Sequence, residues 1–229
     1  RIYRFLIKIK NRKQLILHSH LSRSLYSTFL PSILLQIKHI HTEHNTYNRR
    51  RSKWYLYFFE YIIYLSLTRI ICISKATKNA LLSYLPSIAH NVSIIENGTN
   101  LFKHKDRKLK KKQFNILILG SLTYKKGIDL FIEILPSLLD RINQVKIIGS
   151  GPEKQKLLDL TKKLSLESIV KFIPFSSNPS KYIYDSDVGI VPSRWEGFGL
   201  VAVEMRSSGL PILISDTPGL YNIISDYNG

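Results

Sequence analysis

Residues 193–205 read Ser-Arg-Trp-Glu-Gly-Phe-Gly-Leu-Val-Ala-Val-Glu-Met, and this stretch decides the fold. It follows the apolar run 188–192, which predicts a buried strand that ends in proline. From Leu200 onward the pattern predicts a helix. A strand, a glycine-rich turn and a helix in this order direct free backbone N–H groups at an anion. Gly197 and Gly199 let the backbone approach that ligand closely.

Two carboxylates bracket the turn. Glu196 lies at its mouth, and Glu204 lies one to two turns into the helix. Carboxylates do not bind phosphate, but they accept hydrogen bonds from sugar hydroxyls. The turn therefore predicts a nucleotide-sugar site, with a phosphate on the N–H groups and hydroxylated rings on either side. The alternative is an ordinary helix N-terminus whose glutamates are solvated.

The string EGFGLVAVEM at residues 196–205, with its Glu-x7-Glu spacing, resembles the signature of the family 4 retaining glycosyltransferases. The resemblance implies the GT-B fold, an α/β architecture of two Rossmann-like doubly wound parallel-sheet domains that face a cleft. From Phe114 onward the sequence alone predicts alternating strands and helices, which favours such a sheet. Both ends of the chain look cut. We therefore expect a fragment that lacks the start of the first domain and the closing helices of the second.

The resemblance also implies a donor site in the second half of the chain. Lys126 matches a family lysine that holds the diphosphate, but Ser121 stands where relatives have an arginine. A hydroxyl cannot replace a bidentate guanidinium, which weakens the expected clamp. Glu196 would hold the donor sugar and Glu204 the ribose hydroxyls. The implied donor-binding residues are Gly120, Ser121, Lys126, Glu196, Gly197, Phe198, Gly199, Leu200 and Glu204.

A histidine-rich strand exit lies in the first half, at Lys38 to Asn45. The spacing of His39, His41 and His44 cannot chelate a metal through one helix face. Thr42-Glu43-His44 matches a Thr-x-His pattern that places a histidine beside the donor sugar in relatives. The implied catalytic residues are therefore Glu196, His44 and Lys126, with no metal and no cofactor; a loop histidine is the alternative for His44.

The chain has 229 residues and divides, by pattern, into three segments. Residues 1–102 are expected to form a partial acceptor-side Rossmann-like domain. Residues 103–113 carry a run of lysines and are expected to form a basic linker. Residues 114–229 are expected to form the donor nucleotide-sugar domain, without its C-terminal end.

Local sequence patterns predict where several helices and strands end. We expect the helix that begins near residue 21 to end at Pro31, and a helix at 128–139. A strand that runs into a turn is expected at 92–98, and a further strand at 169–175. Trp54 to Leu65 predicts a helix that is apolar nearly all round.

The formal net charge is +18, and three interpretations compete. They are an anionic membrane surface, a compositional habit and, last, nucleic acid, because no nucleic-acid motif appears. Arg49 to Arg51 precede the aromatic helix at 54–65, which suits a membrane interface, although an ordinary packed helix is slightly favoured. Cys72 is expected to be a buried apolar residue.

The resemblance implies a metal-independent, retaining hexosyltransferase that uses a UDP-sugar or GDP-sugar. Its acceptor would be a glycan or a lipid-linked oligosaccharide in cell-envelope polysaccharide synthesis. It would be cytoplasmic, peripheral on the inner face of the plasma membrane, with no nucleic-acid partner. The alternatives are an inactive GT-B remnant, a basic nucleic-acid-binding protein and a nucleotide-sugar epimerase.

Overall fold

The computed structural model describes residues 2–9, 14–99, 101–106 and 112–225. The chain divides into two compact units, Arg1–Asn97 and Gly98–Gly229. Each unit contains one parallel β-sheet, and each buries its own apolar core. Both halves are therefore α/β structures, as the sequence predicts.

The first unit contains a four-stranded parallel sheet in the order β1-β2-β3-β4. Helices connect the strands and cover the sheet through apolar contacts around Leu25, Ile63, Ile70 and Leu81. The strands are β1 Ile16–His20, β2 Lys38–Glu43, β3 Arg69–Cys72 and β4 Val92–Ile94. The helices are α1 Ile2–Leu6, α2 Leu21–Leu34, α3 Tyr57–Leu65 and α4 Lys75–Tyr84, with 3-10 turns at Trp54–Leu56 and Pro86–Asn91.

One expectation for this unit is wrong. Helix α2 continues through Pro31, because contacts beyond the proline hold its last turn: Ser32 is buried and its hydroxyl lies 3.3 Å from the ring of His39. Strand β4 is three residues long, Val92–Ile94. Ser74 is the N-cap of α4, since its Oγ accepts from the N–H of Thr77 at 3.1 Å.

The second unit contains a five-stranded parallel sheet in the order β7-β6-β5-β8-β9. The chain starts in the centre, winds to one edge and then returns to the other side, which confirms the doubly wound sheet. The strands are β5 Phe114–Leu119, β6 Ile142–Ile148, β7 Val170–Ile173, β8 Val188–Val191 and β9 Ile212–Ile214. The helices are α5 Ile128–Ile134, α6 Lys154–Lys163, α7 Pro179–Tyr184, α8 Leu200–Ser207 and α9 Pro218–Ser225, with 3-10 helices at Tyr124–Lys126 and Leu135–Arg141.

Prolines shorten two elements of this unit relative to the sequence expectation. Helix α5 gives way to a 3-10 helix that contains Pro136, because proline has no N–H to continue the α-helical pattern. Strand β7 ends at Ile173, before Pro174, for the same reason.

The basic segment predicted as a linker is described only in part. Residues 103–106 belong to the second unit and bond within it: the N–H of Lys105 donates to Ser208 O at 3.1 Å, and Tyr184 Oη donates to Lys103 O at 2.9 Å. Residues 107–111 of that segment lie outside the described residues, as do residues 226–229. The linker and the domain limits therefore stay predictions.

Across the described ranges, no helix combines the length and the apolar character that crossing a membrane requires. Cys72 is buried, as expected, and burial raises the pKa of its thiol to about 12.

Candidate functional site

The central stretch of the sequence lies where the strand order of the second sheet reverses. Strands β5 and β8 are neighbours there, with Ile116 opposite Val188 and Leu117 opposite Gly189. In open α/β sheets, ligands bind outside the carboxyl ends of the strands at this switch point. Two loops leave the sheet at this point, residues 120–127 after β5 and residues 192–199 after β8. They carry the predicted donor site.

Glu196 is the centre of the charge arrangement between these loops. Its side chain is buried, with 5% of the residue exposed, and Ser193 Oγ donates to Oε1 at 3.1 Å. Lys126 Nζ donates to the same oxygen, and Lys125 Nζ lies 3.1 Å from Oε2. Burial disfavours the charged carboxylate, but the two ammonium groups outweigh burial and lower the pKa of Glu196. Glu196 is therefore an anion held between two cations.

The lysines are presented by a tight turn that depends on Gly127. Tyr124–Lys126 forms a 3-10 turn, and Gly127 follows with φ of 61°, in the left-handed region. A Cβ at this position would lie 2.0 Å from the carbonyl oxygen of Pro192. The absence of a side chain therefore lets the lysine loop lie directly on the loop that carries Glu196.

Arg194 fastens the two loops together. Its guanidinium donates to both carboxylate oxygens of Asp129 at 2.7 Å and to Tyr124 O at 2.9 Å, and it lies 3.9 Å from the centre of the Tyr124 ring. Its own N–H donates to Lys125 O at 2.8 Å. The hydrogen bonds from Arg194 lower the pKa of Asp129. We call Arg194, Asp129 and Tyr124 the loop clamp; the sequence analysis missed it.

The start of helix α8 has the form expected of an anion site. Gly199 is its N-cap, with φ of 79°, and no side chain accepts a hydrogen bond from the first turn. A Cβ on Gly199 would lie 2.4 Å from Leu220 Cδ2, so that only glycine fits. The N–H of Ala202 already donates to Gly199 O at 2.9 Å. The N–H groups of Leu200 and Val201 have no partner inside the helix, so they point toward an anion at its start.

A pocket of about 310 Å³ opens beside this turn, at the carboxyl ends of β5, β6 and β7. Glu204 lies on its wall and accepts a hydrogen bond from Thr99 Oγ1 at 2.8 Å. Ser121 is exposed there, and its hydroxyl lies 3.4 Å from Thr123 Oγ1. The volume is within the range of small-molecule sites. The lining residues are Leu119, Gly120, Ser121, Ile148, Gly149, Ser150, Phe175, Ser176, Pro179, Val201 and Glu204.

His44 belongs to the first unit, directly after β2. Its Nε2 lies 2.9 Å from His20 Nδ1, so that one ring nitrogen donates to the other. Burial, and then the neighbouring His20, lower the pKa of His44. His44 is half-buried, and its lowered pKa favours the neutral imidazole. Over the residues that are described, no group of three or more His, Cys, Asp or Glu side chains is arranged to hold a metal ion.

Two further histidines of β2 point inward around Ser19. Its hydroxyl lies 2.8 Å from His39 Nε2 and 2.9 Å from His41 Nδ1. Burial, followed by the nearby rings of His41 and His18, lowers the pKa of His39 to about 4. These two histidines are therefore structural parts of the core.

Glu43 is buried in an ion pair that the sequence analysis also missed. It accepts from Arg51 Nη2 at 2.8 Å and from Tyr64 Oη at 2.5 Å. Burial opposes its charge, but His41 and Arg51 outweigh burial and hold the pKa of Glu43 at about 2. Glu43 thus holds Arg51 and Tyr64 at the end of β2, next to His44.

The structure brings the predicted residues together in two groups. Glu196 and Lys126 are in direct contact, and Gly120, Ser121 and Glu204 share the pocket. The turn 197–200 leads from Glu196 into α8. Lys125 and Ser193 complete the first group, since both contact the Glu196 carboxylate.

Comparison with known families agrees with this architecture. The family described as "Glycosyl transferases group 1" matches residues 100–229, and "Glycosyltransferase Family 4" matches residues 1–102. The chain belongs to the group 1 glycosyl transferases, which confirms the resemblance inferred from residues 196–205.

Curated relatives include an uncharacterised glycosyltransferase of Methanocaldococcus jannaschii, 32% identical over 74% of this chain and 48% of the relative. An uncharacterised glycosyltransferase of Haemophilus influenzae is 31% identical over 85% of this chain and 55% of its own length. The O-antigen biosynthesis glycosyltransferase WclY of Escherichia coli is 35% identical over 68% of this chain and 45% of the relative. The chain spans about half the length of the curated relatives it matches.

Solved structures share the fold at low sequence identity. Anabaena HepE in complex with UDP and glucose superposes with a TM-score of 0.80 at 18% identity, over 92% of this chain and 61% of that chain. The pneumococcal O-GlcNAc transferase GtfA in complex with UDP and GlcNAc superposes with a TM-score of 0.75 at 18% identity, over 98% of this chain and 46% of that chain. The fold class predicted from the sequence is confirmed.

Proposed function

We propose that the chain is the donor-binding part, with a portion of the acceptor side, of a retaining hexosyltransferase. It would transfer a sugar from a nucleoside diphosphate to an acceptor without a metal. The observation that carries the proposal is the ionised Glu196 held between Lys125 and Lys126, next to a pocket on whose wall Glu204 lies.

The pocket suits the nucleoside half of the donor. It lies at strand ends, it has the volume of a small-molecule site, and Glu204 supplies carboxylate oxygens for ribose hydroxyls. The complexes of HepE with UDP and glucose and of GtfA with UDP and GlcNAc support a UDP-sugar as the donor. A GDP-sugar remains the alternative that the experiment below separates.

The diphosphate would lie between the pocket and Glu196. We propose that the Lys126 ammonium and the N–H groups of Phe198, Gly199 and Leu200 stabilise the charge that develops on the leaving diphosphate. In the free site Lys126 is bound to Glu196, so that a diphosphate must share this ammonium with the carboxylate. Lys125, on the other oxygen of Glu196, keeps the carboxylate ionised in that case.

Glu196 and His44 are proposed to act on the sugar. Glu196, fixed by Ser193 and the lysines, would accept hydrogen bonds from the sugar hydroxyls. His44, with its pKa lowered, would donate or accept one hydrogen bond as a neutral imidazole toward the donor sugar. We assign no covalent nucleophile.

The acceptor is proposed to be a glycan or a lipid-linked oligosaccharide of an envelope polysaccharide. WclY is named for O-antigen biosynthesis, and the AmsD protein of Erwinia amylovora, 33% identical over 57% of this chain, is named for amylovoran biosynthesis. We further propose a cytoplasmic enzyme that is peripheral on the inner face of the membrane, which fits the net charge of +18.

A thermal-shift series on the protein tests the donor site. We expect UDP, or else GDP, to raise the melting temperature, because a ligand that binds only the folded protein stabilises it. The variant Glu204→Gln should lose most of that shift, whereas the exposed Glu167→Gln should keep it. No shift with any nucleotide would overturn the donor site and favour a remnant disabled at Ser121. An unchanged shift in Glu204→Gln would overturn the role assigned to Glu204.

A further inference from the structure

Helix α3 of the first unit buries its charged residue and exposes large apolar side chains. Its one charged residue, Glu60, faces inward with 1% exposed and accepts a hydrogen bond from Tyr26 Oη. Ile63 and Tyr64 are buried beside it. An amphipathic surface helix ordinarily turns its charges to water and its apolar stripe to the core. The outward face of α3 therefore needs a separate explanation.

That outward face is a row of large apolar side chains. Phe58, Ile62 and Leu65, spaced four and three residues apart, are 70%, 41% and 47% exposed. The 3-10 turn before the helix adds Trp54 at 87% and Tyr55 at 58%. Single exposed apolar residues are common on proteins, but a contiguous row of them marks an interaction surface.

Cations border the row at its N-terminal end. Arg49, Arg50 and Lys53 are exposed, and the Arg50 guanidinium lies 4.3 Å from the centre of the Tyr26 ring. Across residues 47–66 the only acidic residue is the buried Glu60. The surface thus combines aromatic and aliphatic groups with positive charge and offers no exposed carboxylate of its own.

We propose that this basic–aromatic surface, Arg49, Arg50, Lys53, Trp54, Tyr55, Phe58, Ile62 and Leu65, docks on an anionic lipid bilayer. The proposal rests on the peripheral association proposed above and gives it a location. Trp54 and Tyr55 lie at headgroup level, where amphipathic rings are stable, and Phe58 and Ile62 face the acyl chains. The three cations contact lipid phosphates.

Charge complementarity favours a bilayer over a second copy of the chain. In a two-fold symmetric dimer the same patch occurs on both sides of the interface. Two such patches would put six exposed cations into one interface, two each of Arg49, Arg50 and Lys53, with no exposed carboxylate in 47–66 to compensate. An anionic membrane neutralises the same cations and covers the apolar row.

Co-sedimentation of the full-length protein with vesicles tests the surface. We expect binding to vesicles of equal parts phosphatidylcholine and phosphatidylglycerol, weaker binding to phosphatidylcholine alone, and weakening by added salt. Trp54→Ser and Phe58→Ser should each abolish most of the binding. The matched control is Leu213→Ser, because Leu213 is 64% exposed in the second unit and should not be needed.

Two further variants test how much the positive charges contribute to vesicle binding. Arg49→Gln and Lys53→Gln should each reduce binding to anionic vesicles about fivefold. Lys162→Gln and Lys163→Gln, exposed in the last turn of α6, should leave it unchanged. The melting temperature and its UDP shift are measured for every variant, which separates loss of docking from loss of folding or of donor binding.

The proposal is overturned if wild-type protein does not sediment with anionic vesicles, or if Trp54→Ser and Phe58→Ser bind as wild type does. It is also overturned if Trp54→Ser lowers the sedimentation coefficient without vesicles, because the surface would then join two copies. A UDP shift that persists when docking fails leaves the proposed donor site standing.

Discussion

Glu196 is a carboxylate placed where a diphosphate is proposed to bind, and its neighbours explain how this is tolerated. Two lysine ammonium groups and a serine hydroxyl surround it, so that the cluster carries one net positive charge. The charges make Glu196 an acceptor of hydrogen bonds rather than a proton donor, since its pKa is lowered. At neutral pH it can bind hydroxyl groups but has no proton to give.

Glu196→Gln should therefore separate binding from turnover. The amide keeps the shape and the hydrogen bond from Ser193 but releases both ammonium groups toward the diphosphate. We expect kcat to fall about a hundredfold, as for loss of one group that stabilises a transition state. The dissociation constant of UDP, measured by calorimetry, should stay equal or become smaller. Wild-type turnover in this variant would contradict the role of Glu196.

His39 makes the first unit sensitive to acid. Its folded-state pKa is about 4, whereas an unfolded histidine titrates near 6.5. Below pH 6.5 the unfolded chain binds a proton that the folded chain still excludes, so that stability present at pH 7 is lost as the pH falls from 6.5 to 4. The loss from this group amounts to about 3 kcal/mol at most.

Urea unfolding of wild type and His39→Gln, measured between pH 7 and pH 4.5, tests this linkage. The variant should lose part of the pH dependence, while His18 and His44, whose pKa values are also lowered, keep the remainder. His90→Gln on the exposed surface is the control. An identical pH dependence in wild type and His39→Gln would show that His39 is protonated as easily as in the unfolded chain.

At the scale of elements, the loop clamp explains how two separate turns form one site. Arg194 bonds to the first turn of α5 through Asp129 and to the lysine loop through Tyr124 O and Lys125 O. Neither Arg194 nor Asp129 contacts Glu196 in this network. They act as positioning residues, which set the distance between the Lys125 and Lys126 ammonium groups and the carboxylate.

Arg194→Lys should loosen the site, because an ammonium group cannot bond to both oxygens of Asp129 and to Tyr124 O together. We expect a loss of about 1–2 kcal/mol in the free energy of unfolding and a roughly tenfold fall in kcat. Asp129→Asn should act similarly, and the double variant should be no worse than either single one. Arg141→Lys, with its side chain 72% exposed, is the control. Additive losses in the double variant would count against the clamp.

The sequence predicted what local pattern determines and missed what distant side chains determine. The strand before residue 193, the glycine turn and helix α8 follow from apolar periodicity and from glycines with positive φ, such as Gly199. The end expected at Pro31 was wrong because Ser32 and Thr28 contact His39 of the next strand, β2, which the pattern within the helix does not indicate. Likewise the pairing of Arg194 with Asp129 joins residues 65 positions apart, which no spacing rule indicates.

At the scale of the whole molecule, the chain consists of two units with separate apolar cores. The residues proposed to bind the nucleotide, from Gly120 to Glu204, all lie in the second unit. The surface proposed to dock on lipid lies entirely in the first. Donor binding and membrane docking should therefore respond independently to variants.

Hydrogen exchange of the full-length protein with saturating UDP tests this division. At a UDP concentration of a hundred times the dissociation constant, a bound unit gains about 2.7 kcal/mol, which slows exchange through its unfolding about a hundredfold. We expect that slowing in the core strands of the second unit, β5 and β8, and little change in β1 and β2 of the first. Equal slowing in both sheets would mean that the units unfold as one. Slowing in the first sheet alone would contradict the assignment of the nucleotide site to the second unit.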